Sequence, residues 1–172
     1  WVRGDRNARI ALIEYSDLEC PFCKRFHSTA QQVVDEYEGQ VMWVYRHFPL
    51  EIHSKAPKEA EATECAGELA GNDGFWLMVD KILEVSPTNN GLDLNILPDL
   101  AEEVGLNRAA FVDCLDSSRM AERVDADLQS GLEAGVTGTP GNILLDTETG
   151  QALLIPGAYP FDEMQQIIDS VL

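Results

Sequence analysis

Apolar and polar positions follow two different periods along this chain. Ile10-Ala11-Leu12-Ile13-Glu14-Tyr15 is an almost unbroken apolar run, the pattern of a strand buried on both faces of a sheet. From Pro21 to Tyr37 the residues Phe26, Ala30, Val33, Val34 and Tyr37 recur at helical spacing. They predict a helix with one buried face that stops near Gly39. Val41 to Phe48 is rich in aromatic and β-branched residues and ends at Pro49, a second strand. Strand, helix and strand in that order predict a right-handed βαβ unit with parallel strands. Residues 1–9 are polar, carry the turn signal Gly4-Asp5-Arg6-Asn7, and read as a lead-in to the first strand.

Between residues 54 and 131 strands give way to helical patterns. These run over Lys58–Leu69, Phe75–Leu83, Leu94–Val104, Arg108–Leu115 and Ser118–Glu133. The breaks are Gly71-Asn72-Asp73-Gly74, Ser86-Pro87, Asn89-Asn90-Gly91 and Gly105. Phe75 and Trp76 read as core. The sheet pattern then returns. Val136-Thr137-Gly138-Thr139-Pro140-Gly141 leads into Asn142–Asp146, a turn over Thr147–Gly150, and Gln151–Ile155, which together read as a hairpin. Thr139-Pro140, directly before a strand, is a place where a cis bond can matter. A last amphipathic helix starts at Pro160 and runs through Phe161, Met164, Ile167, Ile168 and Leu172. The expected fold class is α/β, a central mixed sheet flanked by helices. Its segments are 1–53, an inserted helical domain over 54–131, and 132–172.

The chemistry concentrates where the first strand hands over to the first helix, at Cys20-Pro21-Phe22-Cys23. Pro21 suits a first helical turn, since its missing N–H has no partner to lose there. Cys20 then lies at the helix start, where the dipole favours a thiolate, the reacting form of the side chain. Cys23 lies about one turn further in, within reach of a mixed disulfide on Cys20. Two other readings stand beside dithiol–disulfide exchange: a structural disulfide, and half of a zinc site completed from elsewhere. Glu14 is a carboxylate in an apolar run, six positions before Cys20. It either lies beneath the thiols as a proton relay, its pKa raised by burial, or points to the solvent edge. Asp17 and Glu19 oppose a thiolate by charge, and Lys24 and Arg25 favour it. His27 reads as an exposed helical residue.

Charge changes the picture more than composition does. The 172 residues carry 12 basic and 30 acidic side chains, a formal net charge of −18. Such a chain repels nucleic acid and anionic membrane surfaces. No apolar run reaches the roughly 18 residues a membrane span needs. No signal peptide is visible, and the chain opens at Trp1, so it reads as a trimmed segment from which an export signal or anchor has been removed. Of the four cysteines, Cys65 and Cys114 both fall in helical patterns. They form either a bridge between two helices, in keeping with an oxidising compartment, or two buried free thiols.

The CPFC stretch after a strand, the helical insertion, and Val136-Thr137-Gly138-Thr139-Pro140 before a hairpin and final helix resemble the thioredoxin superfamily. Within it the chain is most similar to the DsbA-like thiol–disulfide oxidoreductases, over almost its whole length. The resemblance implies a thioredoxin fold with a helical domain inserted after the first βαβ unit. It implies that Cys20 is the surface nucleophile, Cys23 the resolving thiol, and Glu14 the buried acid. Pro140 would be the cis-proline facing the pair, with Thr139 before it, and Pro21, Phe22, Thr139 and Pro140 would contact substrate. No cofactor beyond the Cys20–Cys23 disulfide and no metal is implied. Substrates would be thiol-containing exported proteins, in the periplasm or another extracytoplasmic space, and a membrane quinone-linked partner would reoxidise a monomeric enzyme. The alternatives are an isomerase or reductase kept reduced, and a non-enzymatic thiol or metal-binding module. One departure stands out. Strongly oxidising members carry histidine where this chain has Phe22, so the expected couple is less oxidising.

Overall fold

The computed structural model describes residues 1–172. Its five strands are β1 (Val2–Arg3), β2 (Ile10–Ser16), β3 (Val41–His47), β4 (Gly141–Asp146) and β5 (Ala152–Pro156). They form one mixed sheet in the order β1-β3-β2-β4-β5. The apolar run of β2 has its cause here. β2 is the central strand, parallel to β3 with Leu12 opposite Trp43, and antiparallel to β4 with Ile10 opposite Asp146. Both of its faces are covered, and Ile10 and Leu12 are wholly buried. The crossover from β2 to β3 is α1 (Pro21–Glu36), which buries Phe26, Ala30, Val33 and Val34. α1 packs on β3 and on the closing helix α6 (Phe161–Asp169). The Tyr37 hydroxyl just past α1 donates to Asp169 Oδ1 at 2.5 Å and ties the two helices together.

β1 corrects the reading of residues 1–9 as a simple lead-in. It pairs antiparallel with β3, Val2 opposite Val44. Two residues carry no period, and what holds them lies far away in sequence. Asn72 accepts from Val2 N–H at 3.0 Å and donates to Val2 O at 2.8 Å. The Arg3 guanidinium lies 4.2 Å from the centre of the Trp76 ring, a cation–π contact.

The chain between β3 and β4 is helical: α2 (Ala56–Val85), a short 3₁₀ turn (Leu94–Ile96), α3 (Leu97–Glu103), α4 (Arg108–Ser117) and α5 (Ala121–Glu133). The break expected over Gly71–Gly74 is a kink inside α2 rather than a loop. Only Ala70 and Gly71 leave helical geometry, and Gly71 takes φ 67°, ψ −154°, a conformation that suits a residue without a Cβ. α5 returns to the sheet against β2 and β3. Gly131 permits that approach, because a Cβ there would sit 2.7 Å from the Phe48 ring and 2.8 Å from that of Tyr15. The inserted helices share one apolar cluster with the sheet: Phe75, Met78 and Phe111 join Ile10, Trp43 and Phe26. Phe75 and Trp76 are buried, as read from sequence.

A disulfide joins Cys65 of α2 to Cys114 of α4, with Cα atoms 5.8 Å apart and 49 positions between them in sequence. Closing a loop of that length restricts the unfolded chain. Removing the bridge with Cys65→Ala and Cys114→Ala is expected to lower unfolding stability by about 2–4 kcal/mol. Guanidinium unfolding of the double variant measures this, and an unchanged midpoint would contradict it.

Candidate active site

The thiols sit where the central strand ends. β2 stops at Ser16, and the turn that follows closes through Cys20 N–H donating to Asp17 O at 3.0 Å. Cys20 is the residue before α1, with φ −82° and ψ 121°, and Pro21 opens the helix. The first helical bond runs from Lys24 N–H to Cys20 O. Across from it the Thr139–Pro140 peptide is cis. The Cys20 thiol donates to Thr139 O at 3.5 Å, so the loop before β4 faces the reactive sulfur directly. Cys23, inside the first turn, is wholly buried, and its sulfur accepts from Asp17 N–H at 3.4 Å. Thr139, joined to Pro140 by the cis bond, thus stands opposite Cys20.

The two sulfurs are pulled in opposite directions. The pKa of Cys20 falls from 9.0 to about 6, chiefly because the Cys23 thiol donates to it. Burial works against this, while Thr139 and the backbone N–H groups of Cys23 and Phe22 add to the lowering. Those amides are the unpaired donors of a helix start. Cys23 is pushed well above 9.0 by burial first, and then by Cys20 and the negative charge of Glu14. A thiolate on Cys20 beside a thiol on Cys23 is the favoured charge state of the reduced pair.

Glu14 is wholly buried, which excludes the solvent-edge reading. Its neighbours across the sheet are Tyr45 and Asn142. Oε2 accepts from Trp43 Nε1–H at 2.9 Å, and Oε1 has no hydrogen-bond partner. Burial raises its pKa from 4.5 to about 7, against the donors Ser16 and Trp43 and with a contribution from Cys20. A carboxyl that titrates near neutrality and is coupled to both thiols can carry a proton to or from them.

Four sequence expectations need correction. Cys20 is only 3% exposed, not an open surface residue, and the exposed member of the motif is Phe22 at 53%. Phe22 is covered on one side by Arg25, whose guanidinium lies 5.1 Å from the ring centre. Lys24 is turned away from the thiolate, its Nζ donating to Ser86 O at 2.7 Å and Glu84 O at 3.3 Å at the end of α2. Asp17 and Glu19 are buried with their carboxylates bound to other segments, and the Asp17 backbone N–H donates to the Cys23 sulfur and so favours a thiolate there. Glu19 accepts from Gly91 and Leu92 N–H, both at 3.2 Å. His27 is half-buried, 2.7 Å from Asp80 Oδ1 and packed edge-on against Trp43 at 4.9 Å.

Glu59 escaped the sequence reading. It is wholly buried, and burial first, then Glu19, raises its pKa to about 9. Nothing in its helical context separates it from exposed Glu68, and Glu61 and Glu64 of the same helix are buried as well. A trio away from the thiols, His47, Glu64 and Asp127, brings ligand-type atoms within 4.8 Å of one another. Its carboxylates are already engaged by Arg46 and Arg123.

A thioredoxin family model matches residues 1–170. The chain belongs to the thioredoxin family. The chain is DsbA-like in its fold: it superposes on DsbA2 of Pseudomonas aeruginosa with a TM-score of 0.85 and 30% identity, covering 99% of this chain and 93% of that one. BdbD of Bacillus subtilis in its oxidised form has the same fold, with a TM-score of 0.83 at 22% identity over 98% of this chain and 90% of that one. In sequence, the chain is 34% identical over 140 residues to a protein of Salinispora tropica named Na(+)/H(+) antiporter NhaA 3. That match covers 81% of this chain and 20% of the relative, so the chain spans about a fifth of that relative's length. No helix is long and apolar enough to cross a membrane.

The position of Glu14 sets a pH dependence. Its folded pKa lies above the ordinary 4.5, so the folded state keeps the proton longer than the unfolded one. The stability this confers is complete below about pH 4.5 and is lost as pH rises through about 7. Glu14→Gln retains an acceptor for Trp43 and carries no such loss. In the reduced protein its stability over wild type is expected to grow by on the order of 2–3 kcal/mol between about pH 5 and pH 8. Urea unfolding at the two pH values checks this, and a pH-independent difference would contradict it.

Proposed function

We propose that this domain is a thiol–disulfide oxidoreductase that works as a dithiol oxidase on exported proteins through Cys20 and Cys23. The observation that carries the reading is the opposed titration of the two sulfurs, Cys20 lowered and Cys23 raised, facing the cis-Pro140 loop. A stabilised Cys20 thiolate is a good leaving group and favours the reduced pair over the disulfide, which makes that disulfide oxidising. The likeness to DsbA2 supports the same reading.

The reaction starts from the Cys20–Cys23 disulfide. A substrate thiolate attacks Cys20 Sγ, a substrate–Cys20 bond forms, the Cys20–Cys23 bond breaks, and its electron pair leaves on Cys23. Glu14, when protonated, supplies the proton that neutralises Cys23. A second substrate thiolate then attacks the substrate sulfur of the mixed disulfide. The substrate leaves oxidised and Cys20 leaves as thiolate. The backbone at Thr139 holds an extended substrate segment by strand-like hydrogen bonds, and Pro21 and Phe22 meet it from the other side. Because Cys20 is nearly covered, substrate reaches it past the cis-Pro140 loop, whose Thr139 carbonyl lies against the sulfur.

Phe22 adds neither charge nor a hydrogen bond to the thiolate. The couple is therefore less oxidising than in relatives with histidine there, which favours a reductase or isomerase role more than the lowered Cys20 alone would. A disulfide between Cys65 and Cys114 fits an extracytoplasmic compartment. There the thiol-containing substrates would be exported proteins, and a membrane quinone-linked partner would restore the Cys20–Cys23 disulfide. The chain acts as a monomer and needs no further cofactor.

Oxidation of a reduced two-cysteine peptide by the oxidised protein tests the proposal. Cys20→Ser is expected to abolish turnover, and Cys23→Ser to accumulate mixed disulfides with the peptide. Turnover that survives in Cys20→Ser would overturn the assignment.

A further inference from the structure

The turn between β2 and α1 holds a buried carboxylate that the exchange steps above leave unused. Asp17 is 1% exposed. Its Oδ1 accepts from Glu19 N–H at 2.7 Å, inside the turn. Its Oδ2 accepts from Leu50 N–H at 2.8 Å and from His53 Nδ1 at 2.8 Å, both in the loop that follows β3. His53 is 4% exposed, so the pair is sheltered from water. Burying a carboxylate is costly unless its oxygens are satisfied, and here three donors converge on two oxygens. Burial raises the Asp17 pKa, and the donors Leu50, His53 and Glu19 act against that rise.

What this arrangement fixes is the backbone of Asp17. Its carbonyl accepts from Cys20 N–H, and its N–H donates to the Cys23 sulfur at 3.4 Å. One residue therefore bonds to both members of the pair through its backbone while its side chain is clamped to a separate loop. We propose that Asp17 is a positioning residue for thiol exchange: its side-chain clamp to Leu50 and His53 holds the Asp17 N–H on the Cys23 sulfur while that sulfur gains or loses negative charge. The inference rests on the exchange reading above.

The step at issue balances simply. When a thiolate attacks the Cys20–Cys23 disulfide, a new bond forms to Cys20 and the electron pair of the old bond moves to Cys23. Cys23 is wholly buried and the Asp17 N–H already donates to its sulfur, so this donor meets the new charge as it forms, before Glu14 delivers the proton. Hydrogen bonds to a charged acceptor are stronger than those to a neutral one, so this donor favours the transition state over the neutral ground state. The same donor acts in reverse when Cys23 attacks a mixed disulfide. A carboxylate that only capped a turn would show no preference between the two sulfurs.

The test separates the Cys23 step from the chemistry of Cys20. Asp17→Asn replaces one carboxylate oxygen by an amide NH₂ that cannot accept, so the clamp loses an acceptor at nearly constant shape. Stopped-flow reduction of the oxidised protein by glutathione, followed through tryptophan fluorescence, is expected to slow about tenfold, the scale of one charge-assisted hydrogen bond. In a Cys23→Ser background, where only Cys20 reacts, the same substitution is expected to leave alkylation of Cys20 by iodoacetamide within about twofold. Equal losses in both assays, or no loss with glutathione, would overturn the inference. Should Asp17→Asn fail to fold, His53→Gln weakens the same clamp from its other side and is expected to slow the glutathione reaction about threefold, a smaller share of the same bond. An unchanged rate in that variant would count equally against the role. Wild type run in parallel distinguishes the two levels: a wild-type disulfide inert to glutathione would remove the exchange reading itself, whereas an active wild type with an unaffected variant removes only the role of Asp17.

Discussion

Two sulfurs cannot share one negative charge unless the fold fixes which of them carries it. Here the hydrogen bond from the Cys23 thiol to Cys20 does that, because Cys20 has several helix-start amides around it while Cys23 is wholly buried with the Asp17 N–H on its sulfur. The rest of the architecture preserves this asymmetry. β2 must end at Ser16, α1 must begin at Pro21, and the cis Thr139–Pro140 loop must close over Cys20. A slip of one residue in β2 would turn the strand's side chains to the opposite face and take Glu14 out of its buried place against Trp43.

The buried acids around the site are the cost of such an arrangement and a source of its chemistry. Glu14, titrating at about 7, sits in the central strand with one oxygen unpaired. A carboxyl with that unmet acceptor is poorly satisfied as a structural element and well suited to hold a proton that must move. Glu19 and Glu59 are buried as well. Glu59, raised to about 9, is protonated at neutral pH, and Glu19 binds the amides of Gly91 and Leu92. The motif loop is thereby fastened to the inserted helices, so the insertion supports the site as well as covering the sheet.

Much of this was legible in the sequence, for identifiable reasons. β2, α1 and β3 were set by the continuous apolar run, the helical spacing of Phe26 to Tyr37, and the β-branched and aromatic run ending at Pro49. All three end within one residue of the expected bounds. The thiols and the cis-proline were legible because their residue types and neighbours are diagnostic. β1 was not, because it is two residues long and held by Asn72 and Trp76, which only the fold brings near. The near-burial of Cys20, the clamp of Asp17 to His53, and the protonated Glu59 were likewise beyond reach. Charge patterning treats Asp17, Glu19 and Lys24 as neighbours of the thiols in sequence, whereas in space each turns to a partner on a distant segment.

The asymmetry between the sulfurs can be measured directly. In the reduced protein, the rate of alkylation by iodoacetamide as a function of pH reports the ionisation of the reactive cysteine. A midpoint at about pH 6, well below the 9.0 of an unperturbed thiol, is the result this account predicts. A midpoint near 9.0 would contradict it.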